Sequence, residues 1–310
     1  MHDSSELETA ELFLVPSAAE IECPEPHSSR VRLDVGALTN LGKVRANNED
    51  HYLIFRSSRT LDTLRTNLAA GQVPDNFEEV GYGLVVADGM GGMAAGEVAS
   101  SLALSVIVNL NLHAPQWIMR VNDREVREMM RRMKQRIQQA DAVLIQHARE
   151  NPALSGMGTT MTVSYSIGAD LFLCHVGDSR AYLFHHGHLH RLTHDHTLAQ
   201  ALADAGRILP EQVATHRLRH VLTRAIGMRG AQVEPEVQHL HLCDGDRLLL
   251  CTDGLSDLVP DEEIADVLRR LDASQDACDA LVERALEHGG RDNITVILAR
   301  YTIPAASAAE

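Results

Sequence analysis

Residues 85–97 read VVADGMGGMAAGE. The apolar run Val85 to Ala87 ends on an acid, Asp88, and Gly89, Gly91, Gly92 and Gly96 follow closely. A buried strand that stops on a carboxylate and then sheds its side chains has three readings. It is a loop that cradles phosphate, a metal site that needs bare backbone near an ion, or a tight turn. The phosphate loop lacks its residues: no Gly-Lys-Ser/Thr follows the glycines, and the absence of G-x-G-x-x-G argues against a dinucleotide site as well.

Outward from this stretch, the strand-like runs VRLDVGAL, HYLIF and YGLVVAD come first. Residues 94–112 read as a helix that is apolar on most faces. Residues 123–148 read as a long amphipathic helix, with Val126, Met130, Met133, Ile137, Ala140 and Leu144 at spacings of four and three. Its Met-rich stripe is read as core-facing. Strands return in TTMTVSYSI, LFLCHVGD, RAYLFHH and HLHRL, with Gly187 in HHGHLH marking a hairpin turn. A helical region from Thr197, strands near 233–240 and 247–252, two helices within 261–288 and the strand NITVILARY complete the order. Hairpin connections dominate. The fold class expected is therefore α+β, a four-layer αββα sandwich of two mostly antiparallel sheets flanked by helix pairs.

Asp88 is one of a set. Asp178 follows LFLCHVG, Asp253 follows RLLLCT, Asp292 precedes ITVIL, and Glu49 and Asp50 precede HYLIF. One such acid is a turn residue or a helix cap. Repetition at strand end after strand end argues for rigidly held carboxylates, which repel one another and call for a cation. The candidate ligands are all oxygens, which favours a hard ion, magnesium or manganese, over zinc. The absent side chain at Gly89 lets a backbone carbonyl approach that ion. Arg45, four residues before Glu49, offers a guanidinium fork for a phosphate; a surface ion pair is its plainer reading.

The chain has 310 residues, 45% of them apolar, and a net charge of -15, which argues against nucleic acid or an anionic membrane as partner. The N-terminus is acidic and unlike a signal peptide, and no run is apolar enough to span a bilayer, so a cytoplasmic protein is expected. The five cysteines show no metal-ligand spacing and are expected to be buried free thiols. Residues 1–30 are expected to be an acidic disordered tail, 31–303 a single domain and 304–310 a C-terminal tail. The 57–80 segment is read as a surface excursion with one short helix, the histidine-rich hairpin as solvated, and His196 as structural.

Eight stretches occur in one order: VRANNED, VVADGMGG, GMGTT, HVGDSRAY, LTHDH, LTRAIG, LCTDGLSD and GGRDNITV. In them the chain resembles the PPM metal-dependent serine/threonine protein phosphatases, type 2C, in their bacterial form, from about residue 31 to 303. The resemblance implies two Mn2+ or Mg2+ ions. Asp88 would bridge them, the Gly89 carbonyl would bind one, Asp253 and Asp292 would hold the second, and Glu49 would contact it through water. Asp178 and Asp253 would form a third, weaker site. Arg45 would bind the substrate phosphate, Asp50 would orient water, and residues 197–237 would be a variable flap. The implied reaction is direct attack of a metal-activated water on phosphoserine or phosphothreonine, without a phosphoenzyme. The implied partners are phosphorylated proteins made by serine/threonine kinases, met by a monomer. Met90 stands where many eukaryotic members carry a histidine, and it cannot donate a proton, so the general acid is unassigned. Two other functions compete: a silent phosphoprotein-binding scaffold of the same fold, and a hydrolase of small phosphoesters.

Overall fold

The computed structural model describes residues 28–69, 75–91, 95–112, 123–228, 230 and 232–304. Two sheets stack face to face. One runs β1 (Arg32–Asn40), β11 (Ile294–Thr302), β10 (Arg247–Cys251), β7 (Arg180–His185), β8 (His188–Arg191). The other runs β2 (Asp50–Asp62), β3 (Asn76–Met90), β5 (Met161–Ile167), β6 (Asp170–Val176), β9 (Glu236–His241), with the short β4 (Gly158–Thr159) on the end of β3. Every recorded pairing is antiparallel. The expected sandwich is what forms.

Alternation along the strands sorts side chains into layers. Leu84 and Val86 of β3 meet Leu171, Leu173, Leu248, Leu250 and Ile297 between the sheets. The intervening Val85 and Ala87 point the other way, against α1 (Ala95–Leu112) and α2 (Asp123–Glu150). On the far side α5 (Asp261–Arg270) and α6 (Ser274–Glu287) cover Leu249, Cys251, Val296 and Leu298. Because sheet faces alternate with period two, Asp88 falls on the same side as Leu84 and Val86, toward the seam between the sheets. The α2 stripe packs as expected, with Met133, Ile137, Ala140 and Leu144 all buried in the core. Arg247 is buried and closes the end of α5. Its Nη1 donates to the carbonyls of Leu268 and Leu271, both at 2.6 Å, satisfying acceptors the helix end leaves open.

Some expectations change. Residues 57–80 make no helix among the described residues. The β2–β3 hairpin simply continues to the Asp62–Asn76 pair, because pairing satisfies backbone groups that a loop would leave to water. Residues 70–74 at its tip lie outside the described residues. Ordered chain begins before 31: Ser28–Arg30 form a 3-10 turn, and the Ser28 hydroxyl accepts from the Val80 amide. The remainder of the expected tail and residues 305–310 lie outside the described residues. Cys174, Cys251 and Cys278 are buried free thiols, each pushed up to about 12 by burial and therefore unreactive. Cys243 corrects that expectation, being disulfide-bonded; spacing rules see only sequence neighbours, whereas a disulfide partner can come from anywhere in the chain. Cys23 lies outside the described residues. The β7–β8 connection is the expected two-residue turn, His186 and Gly187, both at positive φ (48° and 82°). No described helix is long and apolar enough to cross a membrane.

Candidate active site

The strand-end acids come together at one end of the seam. The β2–β3 register sets Asp50 directly opposite Asp88. Asp178 occupies the β6–β7 turn, Asp253 opens the short helix α4 (Asp253–Ser256) after β10, and Asp292 precedes β11. Five strand ends from two sheets thus bring five aspartates together, Asp88 within electrostatic reach of the other four, and Glu49 flanks them.

Asp88 is held by its backbone. The Asp88 amide donates to the Thr160 hydroxyl at 3.1 Å, and its carbonyl accepts from the Thr160 amide and the Thr159 hydroxyl. The Thr160 hydroxyl also meets that of Ser179 at 2.7 Å, joining the strand of Asp88 to the turn of Asp178. Gly89 sits where a side chain cannot. A Cβ there would lie 2.1 Å from the Gly96 carbonyl oxygen and 2.7 Å from that of Glu49. Both are backbone atoms, so Gly89→Ala should lower the thermal midpoint by several degrees, read by calorimetry; an unchanged midpoint would contradict the packing described.

The electrostatics are those of crowded anions. Burial pushes the Asp50 carboxyl up to about 7; hydrogen bonds from Thr295 and Thr252 oppose this, and Asp253 and Asp292 add to it. Asp88 is driven well above the carboxylate range by burial and then by Asp50, Asp253, Asp178 and Asp292, all in the same direction. Burial, then Asp253, does the same to Asp178. Two buried oxygens, Oδ1 of Asp50 and Oδ1 of Asp253, have no hydrogen-bond partner. Unpartnered buried anionic oxygen is costly, and a hard divalent cation is what such a donor set fits.

Residues 56–294 match the Protein phosphatase 2C family. The chain belongs to the protein phosphatase 2C family. It is 36% identical over 267 residues to serine/threonine protein phosphatase PstP of Mycobacterium tuberculosis, covering 86% of this chain and 45% of that one. It thus spans about half the length of that relative. The serine/threonine phosphatase stp of Listeria welshimeri is 32% identical over 260 residues, 84% of this chain and 92% of its own. Among solved structures, the catalytic domain of PstP in complex with two manganese ions superposes with a TM-score of 0.68 at 34% identity, covering 88% of this chain and 99% of that one. The crystal structure of the Mycobacterium tuberculosis serine/threonine phosphatase PstP/Ppp gives a TM-score of 0.69 at 35% identity, covering 86% of this chain and 98% of that one.

Within this phosphatase fold, Arg45 is not idle. Its Nη2 donates to Asp292 Oδ2 at 2.6 Å, and this bond is the main cause of its raised pKa. The guanidinium remains half exposed, with donors left to face solvent. Glu49 and Arg45 ride on one loop that Asn293 pins down. The Asn293 side chain accepts from the Glu49 amide at 2.8 Å and donates to the carbonyls of Leu41 and Asn47. Thr252 donates to Asp50 Oδ2 at 2.8 Å.

Sequence reasoning passed over Asn293 and Thr252. Both stand next to a candidate acid in a quoted motif, which is the signal that could have found them. His196 is structural, as expected. Its Nδ1 accepts from the Gly177 amide at 3.1 Å, and its Nε2 faces Glu236. His175, fully buried and held neutral with its pKa pushed down to about 3 by burial, stacks on His196. It donates from Nε2 to the Gly177 carbonyl at 3.0 Å. The two imidazoles therefore grip the residue before Asp178 from both sides.

Proposed function

We propose that the chain hydrolyses phosphoserine and phosphothreonine monoesters of proteins phosphorylated by serine/threonine kinases. In this reading 31–303 acts as one catalytic domain, with 197–237 as a flap beside the site, in the cytoplasm and as a monomer. What carries the reading is the convergence of five aspartates from five strand ends, with two buried carboxylate oxygens left without a partner.

Asp88 and the Gly89 carbonyl would hold one divalent ion, with Asp88 shared by a second that Asp253, Asp292 and the more distant Glu49 would hold; Asp178 and Asp253 would take a third. Bound Mn2+ or Mg2+ would supply a water of lowered pKa and offset phosphoryl charge. Asp50, fixed by Thr252, would accept a hydrogen bond from that water and orient it along the line of the leaving oxygen. Arg45 would direct its free guanidinium donors at the phosphate oxygens, where charge builds in the transition state. Met90 offers no proton, so the leaving oxygen would take its proton from solvent at this open end of the seam.

The test is release of phosphate from a phosphothreonine peptide with Mn2+, with Mg2+ and with chelator, beside free nucleotides. Metal-dependent turnover of the peptide in preference to nucleotides is expected. Binding of phosphopeptide without turnover would replace this reading with the scaffold. Arg45→Ala should lower kcat/KM for the peptide by about 10- to 100-fold, the worth of a charge-assisted hydrogen bond or two. The loss should fall in kcat as well as in KM, because the contact strengthens as charge builds in the transition state; unchanged kinetics would remove Arg45 from the site.

A further inference from the structure

The histidine tract at the β7–β8 turn takes no part in the chemistry above. It places His185, His186, His188 and His190 within six residues. Ala181 and Leu183 of β7 lie between the sheets, so by alternation His185 ends that same face. The register pairs His185 with His188 and Leu183 with His190. Residues directly opposite share a face, so His185, His188 and His190 line one face of the hairpin. Asp178 precedes β7 and His185 ends it, so the strand holds this group roughly 20 Å from the acid cluster.

His186 and His188 are exposed, as in a solvated hairpin, but His185 and His190 are half-buried. His185 Nδ1 donates to Oδ1 of the buried Asp246 at 2.6 Å. The other oxygen of Asp246 accepts from the Cys243 amide at 2.8 Å, which fixes the carboxylate. With its proton on Nδ1, His185 presents the lone pair of Nε2, the arrangement that an outer carboxylate gives a metal-bound imidazole. The pKa of His190 is pushed down by burial first and then by His185 and His188, with Asp246 opposing, so its ring is neutral at pH 7 as a ligand must be. The rings of His188 and His190 make no hydrogen bond or ion pair among the described residues. Their centroids are 6.5 Å apart. With each nitrogen about 2.1 Å from zinc, two imidazole centroids lie roughly 5 to 6 Å apart, so rotation of the exposed His188 ring brings both to one ion.

The neighbouring groups are committed elsewhere. One ligand atom from each of His185, Cys243 and Asp246 lies within 4.8 Å of the others, but the Cys243 sulfur is held in a disulfide and Asp246 serves the imidazole. His194 Nε2 pairs with Asp204, at the end of α3 (Leu198–Asp204), at 2.8 Å. An all-imidazole donor set suits zinc, copper or nickel, whereas magnesium and calcium keep to oxygen.

We propose that His185, His188 and His190 bind a zinc ion at the far end of β7, with Asp246 as the positioning residue that orients His185. The site does not rest on the phosphatase reading. An ion there ties β8, the edge strand of its sheet, to β7 and, through Asp246, to the turn before β10.

Untagged full chain and the double variant His188→Ala/His190→Ala would be dialysed against Zn2+ in a large excess of Mg2+, which competes for the all-oxygen acid cluster and not for imidazole. The wild type should retain one more Zn2+ per chain than the variant, or hold it at least about tenfold more tightly, since even outer partners of a metal are worth that much. Zinc X-ray absorption should show the outer-shell scattering of imidazole rings in the wild type and lose it in the variant. A thermal midpoint in chelator equal to that of the wild type would show that the variant is folded. Equal zinc retention by the two folded proteins, or an oxygen-only shell in the wild type, would overturn the site. Asp246→Asn should weaken the same ion by about 10- to 100-fold. Unchanged affinity there would remove Asp246 from the positioning role.

Discussion

Asp88→Asn is expected to lower kcat/KM for a phosphothreonine peptide by at least about 10³-fold at saturating Mn2+. Removing one electrostatic partner from an active site commonly costs 10²- to 10³-fold, and Asp88 is the carboxylate proposed to be shared by two ions. The same substitution should stabilise the chelated protein. Asp88 is crowded by Asp50, Asp253, Asp178 and Asp292, and a neutral amide of the same shape removes that repulsion. The paired outcome separates loss of chemistry from loss of fold: activity collapses while the thermal midpoint in chelator holds or rises. Near wild-type turnover by Asp88→Asn would remove the bridging role. A fall in both activity and midpoint would mean that the carboxylate is structural.

The second large effect is in the pH dependence of stability. Asp50, Asp88 and Asp178 all have folded-state pKa values raised above those of the unfolded chain, Asp50 to about 7. Over that interval the native state binds more protons than the unfolded state, so stability falls as pH rises. The contribution is fully present below the unfolded carboxylate range near pH 4 and is lost as pH passes the folded values. For Asp50 alone the loss by neutral pH is on the order of 4 kcal/mol. In chelator the thermal midpoint should therefore drop between about pH 5 and about pH 7.5. Mn2+ should flatten or invert that slope, because the ion needs deprotonated ligands and binds harder as pH rises. A midpoint in chelator that climbs over this interval would show that the acids are not crowded in the way described.

The acids were legible because each sits beside an apolar run that can only be a strand, and a carboxylate repeated at strand ends has no packing reason to recur. Gly89 was legible for the same reason, as a bare backbone beside the first of them. The groups that aim these acids were not. Thr160 reaches Asp88 from another strand, Asn293 reaches Glu49 from the opposite end of the chain, and His175 and His196 close on Gly177 from either side. Asn293 and His196 lie in the quoted motifs, but nothing local shows which distant group each one reaches. The extended β2–β3 hairpin was missed because its outer arms carry mixed polar residues, and only the ladder between them shows that they pair.

By itself the sequence determined the alternation that sorts Leu84 and Val86 from Val85 and Ala87, the α2 stripe, the layer order and the identity of the acids. These follow from periods of two and 3.6 residues, which are properties of neighbours along the chain. Tertiary structure alone decided the pairing of Asp50 with Asp88, the ion pair of Arg45 with Asp292 and the approach of His220 to Asp253 and Asp257. Those contacts join residues tens to hundreds of positions apart. Their geometry is set by sheet register and by the angle at which two sheets stack, and neither is encoded in any single stretch of the chain.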